Sequence, residues 1–167
     1  MSELSKKEIK ARLRNAAKLP PAEIKELLSL LRKQPIELPQ QEIEAMLNKS
    51  GQERYIYSVK RIAERKIAWT LKNKKELVLT GDENGNIYFP IWPFKEYALK
   101  CKIDAWKNCE LKTLPLDNLL KEILPDLSKS GTKISVFIVP NDPLVTTVSA
   151  DDFLNNLLYE CSQYEWQ

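Results

Sequence analysis

Tyr88, Trp92, Phe94 and Tyr97 crowd into residues 88–97, around the dipeptide Trp92-Pro93. Aromatic residues at this density serve either as core or as anchors gripped by a partner protein. The core role takes precedence. Pro93 fixes φ and gives up a donor that a helix start leaves unpaired, so Trp92-Pro93 reads as a rigid corner. Held at the surface instead, Trp92, Phe94 and Tyr97 are candidate partner-binding residues. Tyrosine and carboxylate groups near Trp92 would also permit acid–base chemistry.

Other chemistry is closed by composition. No histidine occurs, which removes Ser-His-Asp and Cys-His nucleophiles, imidazole bases and every His-containing metal site. Gly51, Gly81, Gly85 and Gly131 are the only glycines, and their positions cannot build a Gly-rich phosphate loop. Three cysteines, Cys101, Cys109 and Cys161, make an odd set, which argues against a disulfide framework. Their spacing is unlike the close pairs of zinc sites, and Asp151-Asp152 lacks EF-hand spacing. The expectation is a non-enzyme with no metal and no cofactor.

Charge is unevenly spread. Residues 1–75 carry 18 Lys/Arg against 9 Asp/Glu, and residues 76–167 carry 8 against 14. Lys6, Lys7, Lys10, Arg12 and Arg14 form a basic cluster, the second candidate partner-binding set. Nucleic acid is one reading of it. No aromatic residue is interleaved there, so unstacked bases find no platform. A solvated helix face comes first, and an acidic protein partner next.

The elements that position these residues begin with four helices. Ser5 and Glu8 form a capping box, with Leu4 and Ile9 as a hydrophobic staple. A second helix opens at Pro21, repeats Ile24, Leu27, Leu28 and Leu31, and stops near Gln34. An extended linker spans Pro35 to Pro39. A third helix turns Ile43, Met46 and Leu47 to one side. Ser50 and Glu53 cap a fourth, carrying Tyr55, Ile56, Val59, Ile62 and Ala63.

From Ile67 the pattern turns to strands at Ile67–Leu71 and Leu77–Thr80. Asn84-Gly85 predicts a type I′ hairpin joining the latter to Ile87–Ile91. Pro93 starts a helix burying Phe94, Tyr97, Ala98 and Cys101. Another runs from Pro115 to Pro125, which ends it. Ile134–Val139 and Leu144–Val148 are strands, and Ser149, with Asp152, caps a last helix. The fold class is α+β: a small, mainly antiparallel sheet with flanking helices, preceded by an N-terminal helical arm. The boundary falls between a 1–48 extension and a 49–167 domain.

Trp69, Gly81, Asn84-Gly85, Pro90-Ile91-Trp92-Pro93 and Glu96-Tyr97-Ala98 together resemble the bacterial family called domain of unknown function 2750. "PLDNLLKEILPDL", "ISVFIVP" and "VSADDFLNNL" extend the resemblance over roughly residues 50–160. It implies a small bacterial domain with no established activity and supplies no catalytic residues. Family members often carry His after Trp-Pro; here the position is Phe94.

No apolar run is long enough to span a bilayer, and the N-terminus shows no secretory pattern. A cytoplasmic protein without membrane contact is expected. Elimination leaves a non-enzymatic protein-interaction module, of the immunity-protein or regulatory-adaptor kind, whose partner is another protein. The alternatives are a nucleic-acid-associated protein using the basic helices, and an enzyme with a carboxylate and tyrosine site near Trp92.

Overall fold

Ser5 opens the first helix through the capping box its spacing predicts. Its Oγ accepts the Glu8 N–H at 3.2 Å, and its own N–H donates to Glu8 Oε2 at 2.8 Å. The computed structural model describes residues 4–33 and 38–164. They fall into two units that divide between Glu37 and Leu38. The first holds α1 (Lys6–Leu13), a single 3₁₀ turn (Ala16–Lys18) and α2 (Pro21–Lys33). Helices α1 and α2 touch each other, and Ile9 and Leu27 are buried. Pro21 occupies the first position of α2, where its missing N–H costs nothing. The helix end near Gln34 and the linker as far as Glu37 lie outside the described residues.

The second unit starts earlier than the sequence boundary. Helix α3 (Gln40–Leu47), assigned above to the arm, belongs to the larger unit. Ile43 is part of its core, and Leu38, Met46 and Leu47 pack against that core. The three apolar positions on one side of a short helix need a partner surface, and the second unit supplies it. Helix α4 (Gly51–Arg65) follows, with Ser50 and Glu53 forming the second capping box. It ends at Lys66, whose φ of 60° places it in the left-handed region.

Strand β1 (Ile67–Lys72) pairs antiparallel with β4 (Glu110–Pro115). Strands β2 (Thr80–Gly81), β3 (Ile87–Ile91), β5 (Lys133–Val136) and β6 (Thr146–Ser149) form a second sheet in that order. Its β3–β5 pairing is parallel, and its other pairings are antiparallel. Trp69 and Trp92 exchange both backbone hydrogen bonds at 2.9 Å, linking β1 to the residue after β3. Helix α8 (Ala150–Tyr164) packs on α4, with Phe153 and Leu157 buried. Its first turn is capped by Ser149 Oγ, which accepts the Asp152 N–H at 3.0 Å. The architecture is α+β.

Four local expectations give way to specific causes. The hairpin is not type I′, because Gly85 has positive φ and Asn84 does not. Instead Asp82 Oδ1 accepts the Asn84 and Asn86 N–H groups, making a wider loop, and β2 begins only at Thr80. Helix α5 (Lys95–Lys100) starts two residues after Pro93. Trp92, preceding proline, is held extended by its bridge to Trp69.

Pro125 does not end its helix. A short α6 (Leu116–Asn118) passes through a π turn (Leu119–Ile123) into α7 (Leu124–Ser130). The Leu124 N–H reaches back to Leu119, and this wider winding admits the proline without the clash a regular turn would impose. Strand β5 stops at Val136 because Phe137 adopts φ 62°. A left-handed bulky residue is rare and turns the chain out of the sheet.

Candidate functional site

Trp92 is fully buried, and its indole N–H donates to the Ile138 carbonyl at 3.0 Å. Trp106 meets it edge-on, with ring centroids 6.2 Å apart. Phe94, the N-cap of α5, is 9% exposed and Tyr97 only 1%. The Tyr97 and Phe137 rings pack tilted by 40°, with centroids 4.3 Å apart. All three candidate aromatic anchors therefore belong to the core, and none is presented to a partner. The corner reading of Trp92-Pro93 holds, and the exposed-anchor reading fails on burial. The basic cluster is placed differently. Lys7, Lys10, Arg12 and Arg14 are exposed and Lys6 is half-buried. They lie in the first unit, and the aromatic residues lie in the second.

The tyrosines beside Trp92 form a structural network. Tyr57 Oη donates to Glu42 Oε1 at 2.9 Å and shares a hydrogen bond with Tyr97 Oη at 3.1 Å. Burial pushes the Tyr57 hydroxyl up, reinforced by the Tyr97 and Glu42 contacts. Burial raises Tyr97 to about 12. Such hydroxyls stay protonated at neutral pH and make neither nucleophiles nor bases.

A cavity of about 630 Å³ lies beside this corner. Two loops make its walls. One runs from Cys101 to Trp106 after α5, and the other from Ile138 to Pro143 between β5 and β6. Ile103, Trp106, Val139, Pro140 and Pro143 give it an apolar lining. Its thiol, Cys101, donates to the Ile138 carbonyl at 3.2 Å. Burial pushes that thiol up to about 12, which makes it a poor nucleophile. Two wall residues, Asp104 at φ 51° and Asn141 at φ 65°, are left-handed, and Phe137 sits just before the second wall. Unfavourable backbone of this kind concentrates at binding and switch regions, at roughly 1–3 kcal/mol per residue.

The second wall is clamped from behind. Arg54 of α4 is fully buried and donates to three oxygens. These are the Lys49 carbonyl at 2.7 Å, Asp142 Oδ2 at 3.1 Å and the Leu144 carbonyl at 2.9 Å. Its guanidinium also lies 5.8 Å from the Phe137 ring centroid. Asp142 is held below the usual carboxylate range by the Leu144 N–H and by Arg54. The wall approaches α4 so closely that a Cβ on Gly51 would stand 2.7 Å from the Leu144 carbonyl oxygen. Glycine at that position is a condition of the contact.

Sequence reasoning missed this cleft. Its residues come from two loops some 35 positions apart, and neither carries a motif. The one available signal is Asn141-Asp142-Pro143, which as a sequence marks only a turn. Among the described residues, no group of three His, Cys, Asp or Glu side chains is placed to hold a metal ion. Nor is any described helix long and apolar enough to cross a membrane.

A family model described as "Protein of unknown function (DUF2750)" matches residues 55–157. That span runs from α4 into α8 and contains the Trp92-Pro93 corner and both cleft walls. No curated protein matches the chain.

Proposed function

The chain belongs to the DUF2750 family, and from that premise we propose that it is a non-enzymatic, cytoplasmic bacterial protein-interaction module, immunity-protein-like or a regulatory adaptor. The observation that carries this reading is the cleft between Ile103 and Pro143. It is apolar, and its rear wall is held rigid by the buried Arg54. The one thiol it contains is driven out of the reactive range. A preorganised apolar cleft without an activated nucleophile suits recognition better than turnover, because little ordering entropy remains to be lost on binding.

Nucleic-acid binding through the exposed basic face of α1 is the second reading. Lys7, Lys10, Arg12 and Arg14 are solvent-facing. Phosphate contacts of that kind alone give weak, sequence-independent binding, with Kd about 10⁻⁴–10⁻⁶ M at physiological salt.

Affinity capture from the native cytosol tests the proposal, with Ile103→Glu as comparison. Ile103 is 48% exposed, so the substitution spares the core. The expected result is a stoichiometric protein partner retained by the unaltered chain and at least tenfold depleted with Ile103→Glu. Fluorescence anisotropy with mixed-sequence DNA and RNA at near-physiological salt supplies the opposing outcome. Tight, saturable binding there, lost on neutralising Lys6, Lys7, Lys10, Arg12 and Arg14, rejects the protein-partner reading.

A further inference from the structure

We infer that the cleft receives a basic side chain, arginine above all, from a short linear segment of the partner protein. This inference rests on the protein-interaction reading above and names the chemistry of its occupant. The cleft lining contains two carboxylates, Asp104 and Asp142, and no lysine or arginine. The two acids are not equivalent. Asp142 is already engaged, with Oδ2 on Arg54 and Oδ1 on the Leu144 N–H at 2.9 Å. The Asp104 carboxylate makes no hydrogen bond or ion pair among the described residues. Asp104 is exposed and lines the cleft together with Ile103 and Trp106.

A basic side chain matches this combination. Its aliphatic stem covers apolar wall while its charged head stays at the rim. A planar guanidinium can form two hydrogen bonds with a single carboxylate. Trp106 lines the same cleft, and an indole face attracts a cation. A lysine would satisfy the charge but not the paired geometry. An acidic segment would meet two carboxylates with no counter-charge in the lining. A purely apolar one would desolvate Asp104 without compensation. The 630 Å³ volume lies in the range of small-ligand sites, large enough for one long side chain and the backbone that flanks it.

The test titrates the full, ¹⁵N-labelled chain with three end-blocked pentapeptides that differ only in a central Arg, Leu or Glu. Free arginine amide is the fourth probe. With the Arg peptide, saturable shifts are expected at Ile103–Lys107 and Val139–Leu144. Affinity for the Glu peptide should be at least tenfold weaker. Asp104→Asn should weaken the Arg peptide at least fivefold and leave the Leu peptide unchanged. Asparagine is the right substitution because it keeps the shape and tolerates the left-handed backbone at this position.

Equal binding of all three peptides, or no effect of Asp104→Asn, would overturn the basic-side-chain assignment while leaving the protein-interaction reading standing. Arginine amide binding as tightly as the peptide would overturn the linear segment in favour of a small cation. Absence of cleft shifts with every probe would overturn the inference outright. Failure of the cytosolic capture alongside a clear Arg preference would instead count against the partner reading alone.

Discussion

The indole N–H of Trp92 and the carbonyl of Ile138 meet at 3.0 Å, tying the proline corner to the residue after the left-handed Phe137. The same carbonyl accepts from Cys101 Sγ, so one oxygen joins the end of β3, helix α5 and a cleft wall. Trp92→Ala removes the hydrogen bond and opens a large cavity in the core. We expect a loss of about 3–5 kcal/mol, read as a shift in the denaturant midpoint. Trp92→Phe should cost less, because it keeps most of the packing and loses mainly the donor. A Trp92→Ala protein as stable as the unaltered chain would contradict the buried position.

How much of this was legible in the sequence varies with the range of the interaction. Both capping boxes are written in four consecutive positions, and both formed at Ser5 and Ser50. The Pro125 stop was misread because a π turn is a response of the whole α6–α7 segment to its packing, with no residue signature. Asn84-Gly85 misled because Asp82 outcompeted the tight turn by accepting two loop N–H groups. Helix α3 was divided from the larger unit because the family resemblance is legible only from about residue 50, whereas the division falls between Pro35 and Pro39. The cleft and its Arg54 clamp were invisible. An arginine that looks like one more basic residue on α4 becomes structural only when Asp142 and Leu144 fold back onto it.

That clamp supports a second prediction. Replacing Arg54 by Met leaves Asp142 and two carbonyl oxygens without their donor inside the protein. Leaving the Lys49 and Leu144 carbonyl acceptors without their donor typically costs about 1–3 kcal/mol each, while the part-exposed Asp142 regains water. The loss should appear in the denaturant midpoint, and hydrogen exchange should accelerate over residues 138–145 ahead of the remaining backbone. Asp142→Asn should be milder, because Asp142 is partly exposed and asparagine still accepts the Leu144 N–H. If Arg54→Met changes stability by less than about 1 kcal/mol, the clamp does not hold the wall.

Acid pH should loosen the β2–β3 hairpin through Asp82. Its carboxylate accepts from the Asn86 side chain at 3.0 Å, from Tyr88 Oη at 2.8 Å and from two backbone N–H groups. The Asn86 and Tyr88 hydrogen bonds lead in holding its pKa down to about 2. The unfolded value is about 3.9. A depressed folded pKa stabilises the folded form fully above the unfolded value, and that contribution is lost as pH falls through the folded one. Protection of the Asn84, Gly85 and Asn86 amides, corrected for intrinsic exchange at each pH, should therefore fall between about pH 4 and pH 2. Asp82→Asn should remove this dependence. Protection that stays flat through that window in the unaltered chain would show that the Asp82 hydrogen bonds do not hold the turn.

Truncation separates the two possible boundaries of the larger unit. Deleting residues 1–37 removes the first unit entirely and leaves Leu38 onwards intact. The remainder should unfold in one cooperative transition. Deleting residues 1–48 also removes α3, and with it Ile43 from the core and the Leu38, Met46 and Leu47 surfaces that pack on it. It further strips the Glu42 carboxylate from Tyr57, leaving that hydroxyl with Tyr97 as its remaining partner. Loss of a single buried isoleucine side chain costs about 2–5 kcal/mol, so the shorter protein should be destabilised by at least about 3 kcal/mol relative to the longer one. Thermal and urea melts of the two truncations, side by side, measure the difference. Equal stability would return α3 to the N-terminal arm and restore the boundary at residue 48.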